Sequence, residues 1–184
     1  TYCYEHHKTS RILSLDTAKD FIKIFLNESD PLSVKETREH WIYDDGIILD
    51  FIGGDALMYP NLLRQIVYYF MWEANLQGHP WANRWKINIS TNGTLFERED
   101  VRRFLEEFKG LVGLAVSIDG VPELQDLYRV FPDGSGTSSI VEKGWEWYIQ
   151  YCQSTGQPPA VKSTLSKYSI PYIFKSLQYF HEVL

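Results

Sequence analysis

The feature of this sequence that most restricts its fold is an alternation. Segments with apolar residues at helical spacing take turns with short runs rich in β-branched residues, and glycine-containing turns close most of the runs. Parallel neighbours need a crossover long enough to hold a helix, so the alternation predicts strand–helix units building a parallel sheet. The first run, Ile47 to Ile52, stops at Gly53-Gly54 and is apolar enough to predict a strand buried on both faces. Lys86 to Ser90 ends at Thr91-Asn92-Gly93, and Leu114 to Ile118 ends at Asp119-Gly120. Pro158-Pro159 introduces a fourth strand near Ala160 to Leu165.

Five helices are expected around these strands. Asp16 is placed to cap the first, with Ala18, Phe21, Ile22, Phe25 and Leu26 on one face. Pro60 opens the second, whose stripe is Leu63, Ile66, Val67, Phe70, Met71 and Ala74. Val101, Phe104, Leu105 and Phe108 mark the third. After a Gly/Ser-rich loop, Pro132 to Ser139, the fourth turns Val141, Trp145, Tyr148 and Cys152 inward, and Ser169 with Pro171 starts the last. Residues 27–45 are polar and irregular. Four strands, with a loop and helix rather than a strand at the start, predict an α/β fold: a partial parallel (β/α) TIM-like barrel that lacks its first strand and is open as to its last.

Composition narrows the function. With 184 residues and 44% hydrophobic content, the whole chain suffices for one core, so residues 1–184 are expected to form a single domain. A net charge of -6 and the lack of any Lys/Arg run exclude a phosphate-binding surface, so no nucleic-acid partner is expected. The apolar runs fall far short of the roughly 20 residues that cross a bilayer, so no membrane partner is expected either. Cys3 and Cys152 are the two cysteines, nearly a whole chain apart and with no signal peptide ahead, which fits a reducing cytoplasm and no disulfide framework.

In parallel α/β sheets and barrels, ligands bind at the carboxyl ends of the strands. Here those ends read Gly53-Gly54-Asp55, Ser90-Thr91-Asn92-Gly93 and Ser117-Ile118-Asp119-Gly120. Paired glycines leave the backbone bare to a ligand, Asp55 offers a carboxylate to an amine, and Ser90, Asn92 and Ser117 offer neutral hydrogen-bonding groups. A polar, zwitterionic ligand fits that set. Each dipeptide taken alone is an ordinary turn former; their order and spacing carry the information.

Thr1-Tyr2-Cys3-Tyr4-Glu5 resembles the end of the CxxxCxxC cluster motif of the radical S-adenosylmethionine superfamily. DFIGGD (Asp50 to Asp55), ISTNGTL (Ile89 to Leu95) and SIDG (Ser117 to Gly120) follow at suitable intervals, with Arg129 and Asp133-Gly134-Ser135-Gly136 beyond. The chain is most similar to the peptide-modifying branch, which includes anaerobic sulfatase-maturating enzymes and peptide maturases, as far as VKSTLSKYSIP at Val161 to Pro171. The resemblance implies a 4Fe-4S cluster held by three thiolates, with S-adenosyl-L-methionine chelating the fourth iron. It implies reductive cleavage to a 5′-deoxyadenosyl radical that abstracts hydrogen from a peptide or protein substrate, with flavodoxin or ferredoxin as electron donor. By the same resemblance Cys3 is the last cluster thiolate and Tyr2 packs near the adenine. Gly53, Gly54 and Asp55 match the GGE that binds the methionine amino group. Ser90 and Asn92 lie near the cofactor, Ser117 contacts the ribose, and Arg129 is positioned to pair with the carboxylate.

The sequence departs from the family pattern in three places. Residues 1–184 carry one cluster thiolate where three are needed, so this segment alone is expected to be inactive; a Cys immediately before Thr1 and another four residues earlier would complete the motif. Asp55 replaces a glutamate with a shorter reach. Gln125 stands where the family commonly has histidine. The enzyme domain is the preferred reading; the missing cysteines and Asp55 favour the runner-up, a catalytically silent barrel serving as a binding or scaffold module. Cys3 with His6 and His7 suits zinc chemically, but adjacent histidines near a terminus read as solvated. Trp81, Trp85, Trp145 and Trp147 read as packing residues, Cys152 as core, and His40-Trp41 has no assigned role.

Overall fold

The computed structural model describes residues 11–27 and 46–183. Four parallel strands, β1 (Ile47–Phe51), β2 (Trp85–Thr91), β3 (Val112–Ser117) and β4 (Ala160–Lys162), lie side by side in sequence order. The described helices are α1 (Leu15–Leu26), α2 (Pro60–Leu76), α3 (Glu99–Glu107), α4 (Pro122–Tyr128), α5 (Ser138–Thr155) and α6 (Ile173–Val183). Strand–helix–strand crossovers are right-handed as a rule, so a parallel sheet whose spatial order follows the sequence collects its helices on one face. That is the layout of a barrel wall, not of a doubly wound sheet.

One side of the sheet accordingly carries the core. Ile87, Ile89, Val112, Leu114 and Val116 join Leu63 and Val67 of α2, Val101, Phe104 and Leu105 of α3, and Val141, Trp145, Tyr148 and Cys152 of α5 in one buried cluster. Cys152 is thus a core residue, and Trp145 and Trp81 are buried as the packing reading expects. The hydroxyl of Tyr148 reaches through this layer to accept the Ala160 backbone N–H at 2.8 Å, which ties β4 to α5.

The opposite, inward side is polar. Pleating and register put Ile48 and Asp50 of β1, Lys86, Asn88 and Ser90 of β2, Gly113, Ala115 and Ser117 of β3, and Lys162 of β4 on this face. The expectation that β1 is buried on both faces is therefore corrected. Its burial alternates, Ile48 is 63% exposed, and the strand stops at Phe51 with Ile52 exposed beyond it. Only one face of the described sheet is covered by helices, so apolar content alone did not reveal which side each residue takes.

Other boundaries also differ from the sequence reading. Ser14, not Asp16, caps α1, accepting the Thr17 N–H at 3.0 Å, and Asp16 lies in the first turn, where the helix dipole favours it. Only Ala18, Ile22 and Leu26 of the expected stripe are buried; Phe21 and Phe25 face outward and pack on each other, because α1 meets α2 along a narrow seam. The fourth strand ends at Lys162 rather than Leu165, since Ser163 and Thr164 turn away to bond Asp119. Ser138 and Ser139 belong to α5, not to the loop before it. A 3-10 turn at Ile170–Tyr172 delays α6 to Ile173. α4 was not foreseen: it is two turns long, with Pro122 at its first position.

Candidate functional site

The three strand-end motifs meet at one rim of the sheet. β1 pairs with β2 and β2 with β3, so Phe51, Ile89 and Leu114 lie abreast, and the segments that follow them leave the sheet together. The first link is Asp55. Its Oδ2 accepts the Thr91 hydroxyl at 2.8 Å and the Asn92 backbone N–H at 2.8 Å, while Oδ1 accepts the Leu57 N–H at 3.1 Å and caps a 3-10 turn, Ala56–Met58. Asp55 therefore clamps the turn after β1 to the turn after β2. Three of the roughly four lone-pair positions of a carboxylate are filled this way, which leaves one for a ligand amine.

Gly53 and Gly54 sit exposed beside this clamp. Gly53 has a φ of 133°, and a Cβ built on either glycine meets nothing within 4 Å, so the space above their backbone is open to a ligand. Gly93 is different. Its φ is 77°, and a Cβ there would come within 2.8 Å of Val116 Cγ1, so glycine is required by packing of the turn on β3. Asn92 shapes the same turn: its Oδ1 accepts the Thr94 N–H at 2.9 Å and the Thr94 hydroxyl at 2.6 Å. Its side-chain carbonyl is thereby occupied within the turn.

The second link is Ser90, whose Oγ accepts Lys162 Nζ at 2.6 Å across the inward face. Ser117, at the last position of β3, is the register partner of Lys162 and half-buried on the same face. Ser90, Ser117 and Lys162 thus form one polar group at the carboxyl end of the sheet.

The third link is Asp119, with its carboxylate 1% exposed. Arg129, the residue that the resemblance offers to a ligand carboxylate, pairs with it at two points: Nε to Oδ2 at 2.8 Å and Nη2 to Oδ1 at 3.2 Å. Oδ1 also accepts the Thr164 N–H at 3.0 Å. The Asp119 N–H donates to the side-chain carbonyl of buried Gln125 at 2.9 Å, and the Gln125 amide donates to Thr137 Oγ1 at 3.3 Å. Gln125 therefore braces the SIDG turn from below. Gly120 is required here, because a Cβ would meet Ser176 Oγ of α6 at 2.1 Å.

Of the nine residues singled out by sequence, Gly53, Gly54, Asp55, Ser90, Asn92, Ser117 and Arg129 lie on the three turns and strand ends of this one rim or pack directly on them. Tyr2 and Cys3 lie outside the described residues, as do His6, His7, His40 and Trp41. Among the described residues no group of three His, Cys, Asp or Glu side chains is placed to hold a metal, and the cysteine there, Cys152, is buried with burial raising its thiol pKa. The described residues therefore do not fit an iron–sulfur cluster, whereas the bare glycines, the hydroxyls and the clamped carboxylate fit a zwitterionic nucleoside. Sequence reasoning missed Thr91 and Lys162. The first sat inside a motif read for its neighbours, and the second became visible only when β4 was laid against β3. A cavity of about 410 Å³, lined by Ile48, Asp50, Lys86, Asn88, Gly113 and Gln157, lies lower on the inward face, toward the amino ends of the strands.

No protein-family model matches the chain. Native anSMEcpe with bound AdoMet superposes with a TM-score of 0.74 at 22% identity, over 99% of this chain and 44% of that protein. The same enzyme with bound AdoMet and Kp18Cys peptide gives 0.72, again at 22% identity, over 99% and 44%. The chain has their fold. Its four-stranded parallel sheet matches the partial barrel fold of these structures. An uncharacterized protein of Methanocaldococcus jannaschii is 27% identical over 181 residues, 97% of this chain and 52% of that protein. The chain thus spans about half the length of the relatives it matches. No helix among the described residues is long and apolar enough to cross a membrane.

Proposed function

We propose that this chain is most of the catalytic barrel of a radical S-adenosylmethionine enzyme that modifies a peptide or protein in the cytoplasm. The observation that carries the reading is the convergence of Gly53-Gly54-Asp55, Ser90-Thr91-Asn92 and Ser117 to Gly120 on one rim, in a fold shared with an AdoMet-bound and peptide-bound enzyme. The ligand's amino group takes the open backbone at Gly53-Gly54 and the remaining lone pair of Asp55, and its ribose lies against Ser117. Ser90 and Asn92 line the approach, and Arg129 acts through Asp119 by holding the turn that carries Ser117.

Cys3 would be the thiolate that this chain gives to a 4Fe-4S cluster, and Tyr2, its neighbour in sequence, would serve the adenine. Such a cluster, reduced by a flavodoxin or ferredoxin, would supply the electron for reductive cleavage of S-adenosylmethionine and so the means of abstracting hydrogen from the substrate. The peptide substrate is inferred from the likeness to anSMEcpe with bound AdoMet and Kp18Cys peptide. The test is anaerobic reconstitution of the full-length protein with iron and sulfide, then reduction in the presence of S-adenosylmethionine. Release of 5′-deoxyadenosine is the expected result; a reconstituted, cluster-containing protein that releases none overturns the reading.

A further inference from the structure

On the inward face of the sheet, the described strand positions carry three charged residues: Asp50, Lys86 and Lys162. Asp50 accepts the Asn88 side-chain amide at 2.7 Å, and two ammonium groups against this one carboxylate leave the face with an excess of positive charge in a chain of net charge -6. Lys86 lies four residues before Ser90 on β2, about 13 Å toward the amino end of the strand. Lys162 is thus the inward-facing strand cation at the level of the ligand rim.

Its position follows from the register. Ala115 of β3 stands between Ser90 of β2 and Ala160 of β4 and presents only a methyl, so the Lys162 stem crosses β3 unobstructed. Its ammonium ends 2.6 Å from Ser90 Oγ, two strands away. Phe51 is paired with Ile89, so Ser90 lies next to Ile52, the residue before the bare glycines. The ammonium is therefore one strand from the open backbone at Gly53-Gly54, while the guanidinium of Arg129 is engaged at two points by Asp119. A zwitterion whose amine sits at Gly53-Gly54 brings its carboxylate toward Lys162.

We propose that Lys162, and not Arg129, holds the carboxylate of the ligand's methionine moiety, with Ser90 keeping the Lys162 ammonium in place before the ligand arrives. The assignment rests on S-adenosylmethionine being the ligand, and a charged contact of this kind is short, directional and stronger than a neutral one. Lys162 is exposed on a three-residue strand, so its replacement leaves the fold intact.

The test uses the full-length, anaerobically reconstituted protein and two ligands, S-adenosylmethionine and its decarboxylated analogue, measured by equilibrium dialysis. Lys162→Gln is expected to weaken S-adenosylmethionine binding about tenfold while changing the analogue less than about twofold, and Lys162→Arg to recover most of the loss. Equal weakening of both ligands, or no change in either, overturns the assignment while leaving the proposed function standing. A wild-type protein that binds neither ligand overturns both.

Discussion

The carboxylate of Asp55 and the hydroxyl of Thr91 lie 2.8 Å apart, joining the turn after β1 to the last residue of β2. Thr91 is 2% exposed, so the bond is sheltered from water, and the same oxygen also receives the Asn92 N–H. Asp55→Ala should cost about 2 kcal/mol of stability and Thr91→Val about 1, because a hydrogen bond to a charged group is worth more than a neutral one. Urea denaturation of both single variants and the double variant should give a coupling above about 0.5 kcal/mol. Simple additivity would mean that the two side chains do not act as one clamp.

The Arg129–Asp119 pair is uneven in burial, with the guanidinium 23% exposed and the carboxylate 1%. Arg129→Met leaves a buried carboxylate without its cation and should destabilise by about 3 kcal/mol. Asp119→Asn keeps an acceptor for the Thr164 N–H and should cost less. Thermal unfolding of the two variants ranks them, and the reverse order would mean that Asp119 is not the buried partner at risk.

Gly54 and Gly93 separate ligand access from folding. A methyl at Gly54 meets open space, so Gly54→Ala should change stability by less than about 0.5 kcal/mol yet weaken S-adenosylmethionine binding, since the ligand must approach that backbone. Gly93→Ala meets Val116 and a φ of 77°, and should cost about 2 kcal/mol. Unaltered ligand affinity in Gly54→Ala would place the ligand elsewhere.

Acid stability should depend on Glu73, a buried residue of α2. Hydrogen bonds from Gln77 at 2.9 Å and Tyr69 at 2.8 Å hold its carboxyl below the usual 4.5, and they outweigh burial, which pushes it the other way. A carboxyl whose folded pKa lies below its unfolded one contributes stability that is fully present above about 4.5 and lost as pH falls through the folded value. Urea midpoints between about pH 6 and pH 3 should therefore fall more steeply for the wild type than for Glu73→Gln. Parallel curves would show that Glu73 binds protons equally in both states.

The local order of the chain was legible in the sequence. Strand and helix positions, and the turns Gly53-Gly54, Asn92-Gly93 and Asp119-Gly120, follow from side-chain periodicity and from the backbone freedom of glycine, both properties of a few adjacent residues. The tertiary structure decided which partners these residues meet. Ile48 exposed against Ile47 half-buried turns on the neighbouring element, and no local pattern encodes that. The same holds for the charges: register brings Lys162 across Ala115 to Ser90, and the short helix α4 returns Arg129 to Asp119, because only the packed chain sets which of these groups meet.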